Sequence, residues 1–201
     1  MPTSMPKRIR SNHPMLKRLA LVLVVLTLGA AGEAVAQGAD WRSVDRTETK
    51  VRLDLPETEG KGVFLKSQSE DYSSTQHLAR YPTNAHKLDG ALLLFIELSP
   101  GYHFNGSYSS DRVIGWTEKA GVIERGESMT VNTSLGHMSV TRFTLDGRFQ
   151  CGALSMTWGI AGMMRASEGN RRLLGYICEE TDKPVTRARL EKAANAIAIA
   201  E

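Results

Sequence analysis

A chain of 201 residues with 41% hydrophobic side chains, 25 Lys and Arg against 22 Asp and Glu, and two cysteines can bury one sizeable core. That composition excludes a disordered tail, a disulfide-dense scaffold and a four-cysteine zinc site, and no self-similar period marks a solenoid. The formal charge of +3 points to a nucleic-acid partner only if the basic excess belongs to the folded part.

It belongs to the N-terminus. Lys17 and Arg18 precede an apolar block from Leu19 to Leu28, interrupted only by Thr27, and the small residues Gly29 to Ala36 follow. Basic, apolar, small is the order of a secretory signal peptide, and Ala34 and Ala36 hold the two small positions a signal peptidase needs, which predicts cleavage after Ala36. The apolar block is half the length of a spanning helix, which takes about 20 residues. Met1 to Pro14 form a polar extension, and Met15 begins a more ordinary signal, so either methionine is a possible start. Residues 1–36 carry Lys7, Arg8, Arg10, Lys17 and Arg18 and one acid, Glu33, which leaves 20 basic against 21 acidic side chains in the mature chain. A net charge near −1 removes the case for nucleic acid. The predicted destination is the periplasm or the exterior, with no transmembrane span after cleavage.

A polar leader, residues 37–49, comes next, and a single α+β domain is predicted over residues 50–201. Short β segments follow one another between turn residues, as in an antiparallel sheet. Val51, Leu53 and Leu55 alternate with polar residues until Pro56. Gly60 and Gly62 frame a turn before Val63-Phe64-Leu65, and Ser74 to Tyr81 is extended up to Pro82. The run Ala91 to Ile96 is continuously apolar and short enough to be a strand buried on both faces. Val113 to Trp116 and Ser128 to Asn132 read as further strands. His137–Leu145 and Phe149–Trp158 flank Asp146-Gly147, a dipeptide suited to a type I′ hairpin turn. Arg171 to Ile177 supplies another strand, in which only one of the adjacent Leu173 and Leu174 is expected on a buried face.

At Thr186 to Ile199 the period changes, with Leu190, Ala193, Ala194 and Ile197 spaced three or four apart, the pattern of an amphipathic helix. Thr186 is placed to cap it, and Val185 to pack on Leu190 as a hydrophobic staple. The predicted fold is therefore an antiparallel β-sheet of several short strands with one C-terminal amphipathic helix packed on it. A β-sandwich with an appended helix is the alternative.

Cys151 and Cys178 both fall in predicted strands, and export delivers them to a compartment where disulfides persist, so they are expected to be bonded to each other. Neither belongs to a CxxC pair or a thiol-protease motif.

Chemistry-bearing patterns are sparse. The mature histidines His77, His86, His103 and His137 form neither HxH nor HExxH, and Met156, Met163 and Met164 have the softness for Cu(I) but read as gap-filling core residues. There is no GxSxG, SxxK, phosphate loop or GxGxxG. Glu97, Asp111 and Glu118 offer carboxylates with nothing to set their separation. Asn105 and Asn132 begin Asn-x-Ser/Thr acceptors that matter only in a eukaryotic host. No cofactor and no metal are expected.

Two segments stand out as contact surfaces. Trp158 to Arg165, with Met163, Met164 and Arg165, mixes large apolar groups with glycine and arginine, a composition that suits interface centres. Ser99 to Tyr108 gathers Tyr102, Phe104 and Tyr108 between turn residues. The expectation is a small exported module that binds an unknown protein, envelope or small-molecule partner without a catalytic centre. The alternative is a hydrolase or metal-dependent enzyme assembled from His77, His103, His137 and nearby carboxylates.

Overall fold

Five consecutive apolar residues, Ala91 to Phe95, are all buried, which a strand achieves only when both faces of its sheet are covered. The computed structural model describes residues 40–71, 73–83, 89–104, 106, 108–159, 169–181 and 183–200. The predicted signal peptide, His86, Asn105, Met163, Met164 and Arg165 lie outside the described residues.

The strands are β1 (Arg42–Val44), β2 (Val51–Leu53), β3 (Val63–Gln68), β4 (Ser74–Pro82), β5 (Asp89–Leu98), β6 (Ile123–Thr133), β7 (Gly136–Leu145), β8 (Phe149–Trp158), β9 (Arg171–Glu180) and β10 (Ile197–Ile199). The helices are α1 (Ser110–Ile114) and α2 (Arg187–Asn195). Eight strands form one open antiparallel sheet in the order β1-β3-β4-β5-β9-β8-β7-β6, and β2 pairs with β10 as a separate two-stranded ribbon. A single sheet with coverings on each side thus replaces the alternative of a sandwich. The segment read as a polar leader contributes β1, whose Val44 lies opposite Phe64.

Alternation along β5 divides the core. Ala91, Leu93 and Phe95 face the ribbon and α2, together with Leu53, Leu190 and Ile197. Leu92 and Leu94 face the other way, toward Val113, Ile114 and Trp116 of α1 and the 3-10 turn that follows it (Gly115–Ala120). We call these the ribbon face and the α1 face. Leu173 and Leu174 are consequently both buried, one in each core, which corrects the expectation that only one would be.

The expectation of one C-terminal helix is also corrected: the described residues hold two short α-helices. Val113 to Trp116, expected as a strand, is the end of α1 and the start of the 3-10 turn. Two β-branched residues favour extended backbone, but Ser109 accepts from the Asp111 N–H at 3.1 Å as an N-cap, and one side of the turn then buries Val113, Ile114 and Trp116. At the C-terminus, Thr186 caps α2 by accepting from the Arg189 N–H at 3.3 Å, as expected, but the helix stops at Asn195. Ile197–Ile199 is β10, with Ile197 opposite Leu53 and Ile199 opposite Val51. The periodic spacing of Ile197 therefore served the ribbon rather than a last helical turn.

The hairpin expected at Asp146-Gly147 is present. Both residues have positive φ (53° and 63°), and the Arg148 N–H closes the turn on the Leu145 carbonyl at 3.1 Å. Strand β6 begins at Ile123 rather than Ser128, and Gly126 and Glu127 form a bulge within it between Arg125 and Ser128. α2 rests directly on Gly152 of β8. A Cβ built there would come 2.5 Å from Leu190 Cδ2, so the absent side chain is what lets the helix approach.

Cys151 and Cys178 are directly opposite each other on β8 and β9 and are bonded, with Cα atoms 4.1 Å apart and both side chains buried in the α1-face core. Adjacent antiparallel strands bring such pairs within disulfide reach without further rearrangement.

Candidate functional site

A cleft opens where the ribbon crosses the sheet. After β2, Pro56–Thr58 make one 3-10 turn, shaped by Thr58, whose Oγ1 lies 2.7 Å from both the Leu53 and Leu55 carbonyls and accepts from the Leu55 N–H at 3.2 Å. Beneath this segment run the end of β4, the start of β5 and the end of β9. The space between is a cleft of about 600 Å³, with Leu53 and Leu55 above and Gly90, Ala91 and Ile177 below. Small residues at 90 and 91 make the floor concave. Volume and lining fall within the range of small-molecule sites, a mostly apolar hollow with few polar groups at its edge.

Tyr81 stands at the inner wall. Its hydroxyl accepts from the Leu53 N–H at 2.7 Å, and its ring meets Phe64 edge-on with centroids 6.3 Å apart. Burial raises the phenol above its usual value of 10.0, so it stays protonated at neutral pH. Tyr81 also lines a second cleft of about 420 Å³ shared with Val44, Val63 and Phe64.

Charge at the rim comes from three segments distant in sequence. Arg189 of α2 reaches Glu57 Oε1 at 3.0 Å through Nη2 and Glu179 Oε1 at 2.6 Å through Nε. A hydrogen bond donated to the carboxylate by its own backbone N–H, and after it the Arg189 guanidinium, holds the Glu57 carboxyl below the ordinary carboxylate value against desolvation. Lys61 adds a further charged side chain to the lining. Both carboxylates are paired with Arg189 across the rim.

A second polar group lies at the opposite end of the ribbon face. Glu97 accepts from Lys50 Nζ at 2.7 Å and from Arg171 Nε at 3.1 Å. Burial pushes its carboxyl up, but the Lys50 ammonium and then the Arg171 guanidinium outweigh that and keep it below the ordinary value. Beside it His77, 1% exposed, accepts at Nδ1 from the Lys50 backbone N–H at 3.2 Å. Desolvation, then the charges of Lys66 and Lys50, lowers its pKa from 6.5 to about 4, so it is neutral at pH 7. These contacts tie the start of β2 to the sheet.

The residues singled out from sequence divide as follows. Trp158 ends β8 opposite Arg171, half-buried on the ribbon-face core, with its ring centroid 5.8 Å from that of Phe95. Phe104 bridges to Gly169, donating its N–H to that carbonyl at 2.8 Å, and the Arg172 guanidinium lies 4.0 Å from its ring centroid. Arg172 also donates to Thr157 Oγ1 at 3.1 Å and to the Gly106 carbonyl at 2.8 Å, so it pins the aromatic loop to the sheet. Of the described aromatic candidates in the two contact segments, Tyr102 stands out in solvent, 56% exposed. The two segments expected to carry contacts thus meet at their bases.

His137 has its Nδ1 2.7 Å from Asn132 Oδ1, the side chain of one of the two possible glycan acceptors. Asp111 pairs with Arg125 at 2.8 Å, and Glu118 sits in the 3-10 turn. Among the described residues no group of three or more His, Cys, Asp or Glu is placed to hold a metal ion. The cleft residues Leu53, Leu55, Tyr81, Ala91, Ile177, Glu57 and Glu179 escaped the sequence reading as a site, because no local pattern joins four separate segments. Its one sequence trace is Pro56, which turns the chain immediately after an alternating strand. No protein-family model matches the chain, and no curated protein matches it either.

Proposed function

We propose that this protein is an exported, non-catalytic binding module, periplasmic or secreted, that takes a small and mainly apolar molecule between the ribbon and the sheet. The observation carrying this reading is the cleft of about 600 Å³, aliphatic on two sides, walled by Tyr81 and closed at its rim by the Glu57–Arg189–Glu179 bridge. Export is supported by the signal layout of residues 1–36 and by a buried cystine, which suits an oxidising compartment. Among the described residues no helix is long and apolar enough to cross a membrane.

Titration with the neutral fluorophore N-phenyl-1-naphthylamine tests the reading. One saturable site is expected, and Ala91→Leu, which adds carbons to the floor, should weaken it at least about tenfold, equivalent to roughly 1.4 kcal/mol, while the thermal transition stays cooperative. Probe binding that ignores this substitution in a folded variant overturns the assignment. A second reading, contact with a protein partner through the loop around Tyr102, is favoured by the exposure of that ring on a segment pinned by Arg172. Tyr102→Ser should then abolish partner capture and leave fluorophore binding unchanged.

A further inference from the structure

An open sheet has two edges, and here they are unequal. β1 is three residues long. β6, at the other end, has eleven residues, long enough to recruit another strand. Its first half is blunted by the bulge between Arg125 and Ser128 and by the charges of Glu124, Arg125 and Glu127. Its second half, Met129 to Thr133, is regular.

The hairpin into β7 sets which groups of that half face outward. Thr133 pairs with Gly136 across a two-residue loop, and the pair flanking such a loop is hydrogen-bonded. Counting back, Val131 bonds to β7, whereas Thr130 and Asn132 direct their N–H and C=O groups away from it. Those outward carbonyls are occupied by α2. Arg187 Nη2 donates to the Thr130 carbonyl at 3.2 Å, and Asn195 Nδ2 donates to the Asn132 carbonyl at 3.2 Å. Asn195 Oδ1 accepts from the Ser134 N–H at 3.1 Å, just past the strand end. Side chains at the two ends of one helix therefore take hydrogen bonds that a ninth strand would use.

We propose that Arg187 and Asn195 guard a latent pairing edge, and that the partner they exclude is a second copy of this chain joining β6 to β6 in antiparallel register. A two-fold arrangement centred on Val131 places Thr130 opposite Asn132 of the second copy and the reverse, so the outward groups of both strands are matched. The same register carries Glu124, Arg125 and Glu127 past the partner's strand end, where they meet no like charge.

The test is light-scattering mass across a concentration series. The double variant Arg187→Ala/Asn195→Ala is expected to reach about twice the mass of the native protein under the same conditions. Adding Thr130→Pro removes an outward donor without breaking a ladder bond and should return the native mass. Glu191→Ala, which frees Arg187 Nε from its 2.8 Å bond within the helix but spares the edge bonds, should leave the mass unchanged. A folded double variant with native mass at every concentration refutes the guard, and so does association that Thr130→Pro leaves intact. Should the double variant lose its fold, Arg187→Ala alone decides: this exposed side chain can be truncated, and a concentration-dependent rise in mass supports the guard where constancy refutes it.

Discussion

The two faces of the sheet bury comparable sets of aliphatic and aromatic side chains, yet they are fastened by different chemistry. On the α1 face the polar contacts at the cover are mainly neutral. Ser110 Oγ lies 2.8 Å from Thr141 Oγ1 and 3.1 Å from Ser139 Oγ, and Thr141 continues to Ser128 at 2.8 Å. The cystine lies in the same core, and the Asp111–Arg125 pair beside it is half exposed. On the ribbon face the covering segments are tied by ionisable groups: His77 to the Lys50 backbone, Glu97 to Lys50 and Arg171, and Arg189 to Glu57 and Glu179. The α1 face therefore holds the reducible bond, and the ribbon face is the one whose covering segments are tied mainly through titratable groups. The candidate cleft lies on the second.

Breaking the covalent link gives the largest expected effect. Closing a loop of 27 residues contributes about 3–4 kcal/mol in the chain-entropy account. Cys151→Ala/Cys178→Ala should lower urea stability by that amount at pH 7 and by the same amount at pH 5. A loss that changes by more than about 1 kcal/mol between the two would erase the contrast between the faces.

His77 sharpens the other side of it. Its pKa is about 4 in the folded protein against 6.5 when free, so as pH falls the unfolded chain takes up the proton first. Stability from this residue is fully present above pH 6.5, falls between 6.5 and about 4, and is flat below. The total is about 3 kcal/mol. His77→Gln keeps an acceptor for the Lys50 N–H but cannot titrate. The slope of stability against pH in that window should be shallower in the variant; equal slopes would show that another group carries it.

The smallest effect concerns the rim. Arg189→Ala removes two exposed or half-exposed ion pairs and should cost about 1 kcal/mol, decreasing as salt is raised. A cost independent of salt would mean that the arginine stem, not its charge, holds the helix to the cleft.

How much of this was legible in the chain varies with the range of the interactions. The Asp146-Gly147 turn, the Thr186 cap and the doubly buried run at Ala91 to Phe95 are written locally, since each follows from the conformational demands of neighbouring residues. Val113 to Trp116 misled because its β-branched pair favours extended backbone, while the Ser109 cap that starts the helix lies outside that short run. Ile197 misled because a buried residue at helical spacing is equally a buried residue of a short strand, and Leu53 decided which. The cleft was invisible for the same reason on a larger scale: Leu55, Tyr81, Ala91 and Ile177 have no sequence relation except through strand pairing.

The amino-acid order by itself determined the alternation of most strands, the Asp146-Gly147 turn, which two sulfurs can join and that the basic excess sits in the first 36 residues. These depend on backbone preference, charge and composition over a few neighbours. Only the tertiary structure decided which elements cover each side of the sheet, that Arg189 bridges two acids over a hollow, and that a terminal helix shields the edge of β6. Each of those needs residues far apart in the chain to be brought within a few ångströms, and that proximity comes from packing and pairing rather than from any local preference.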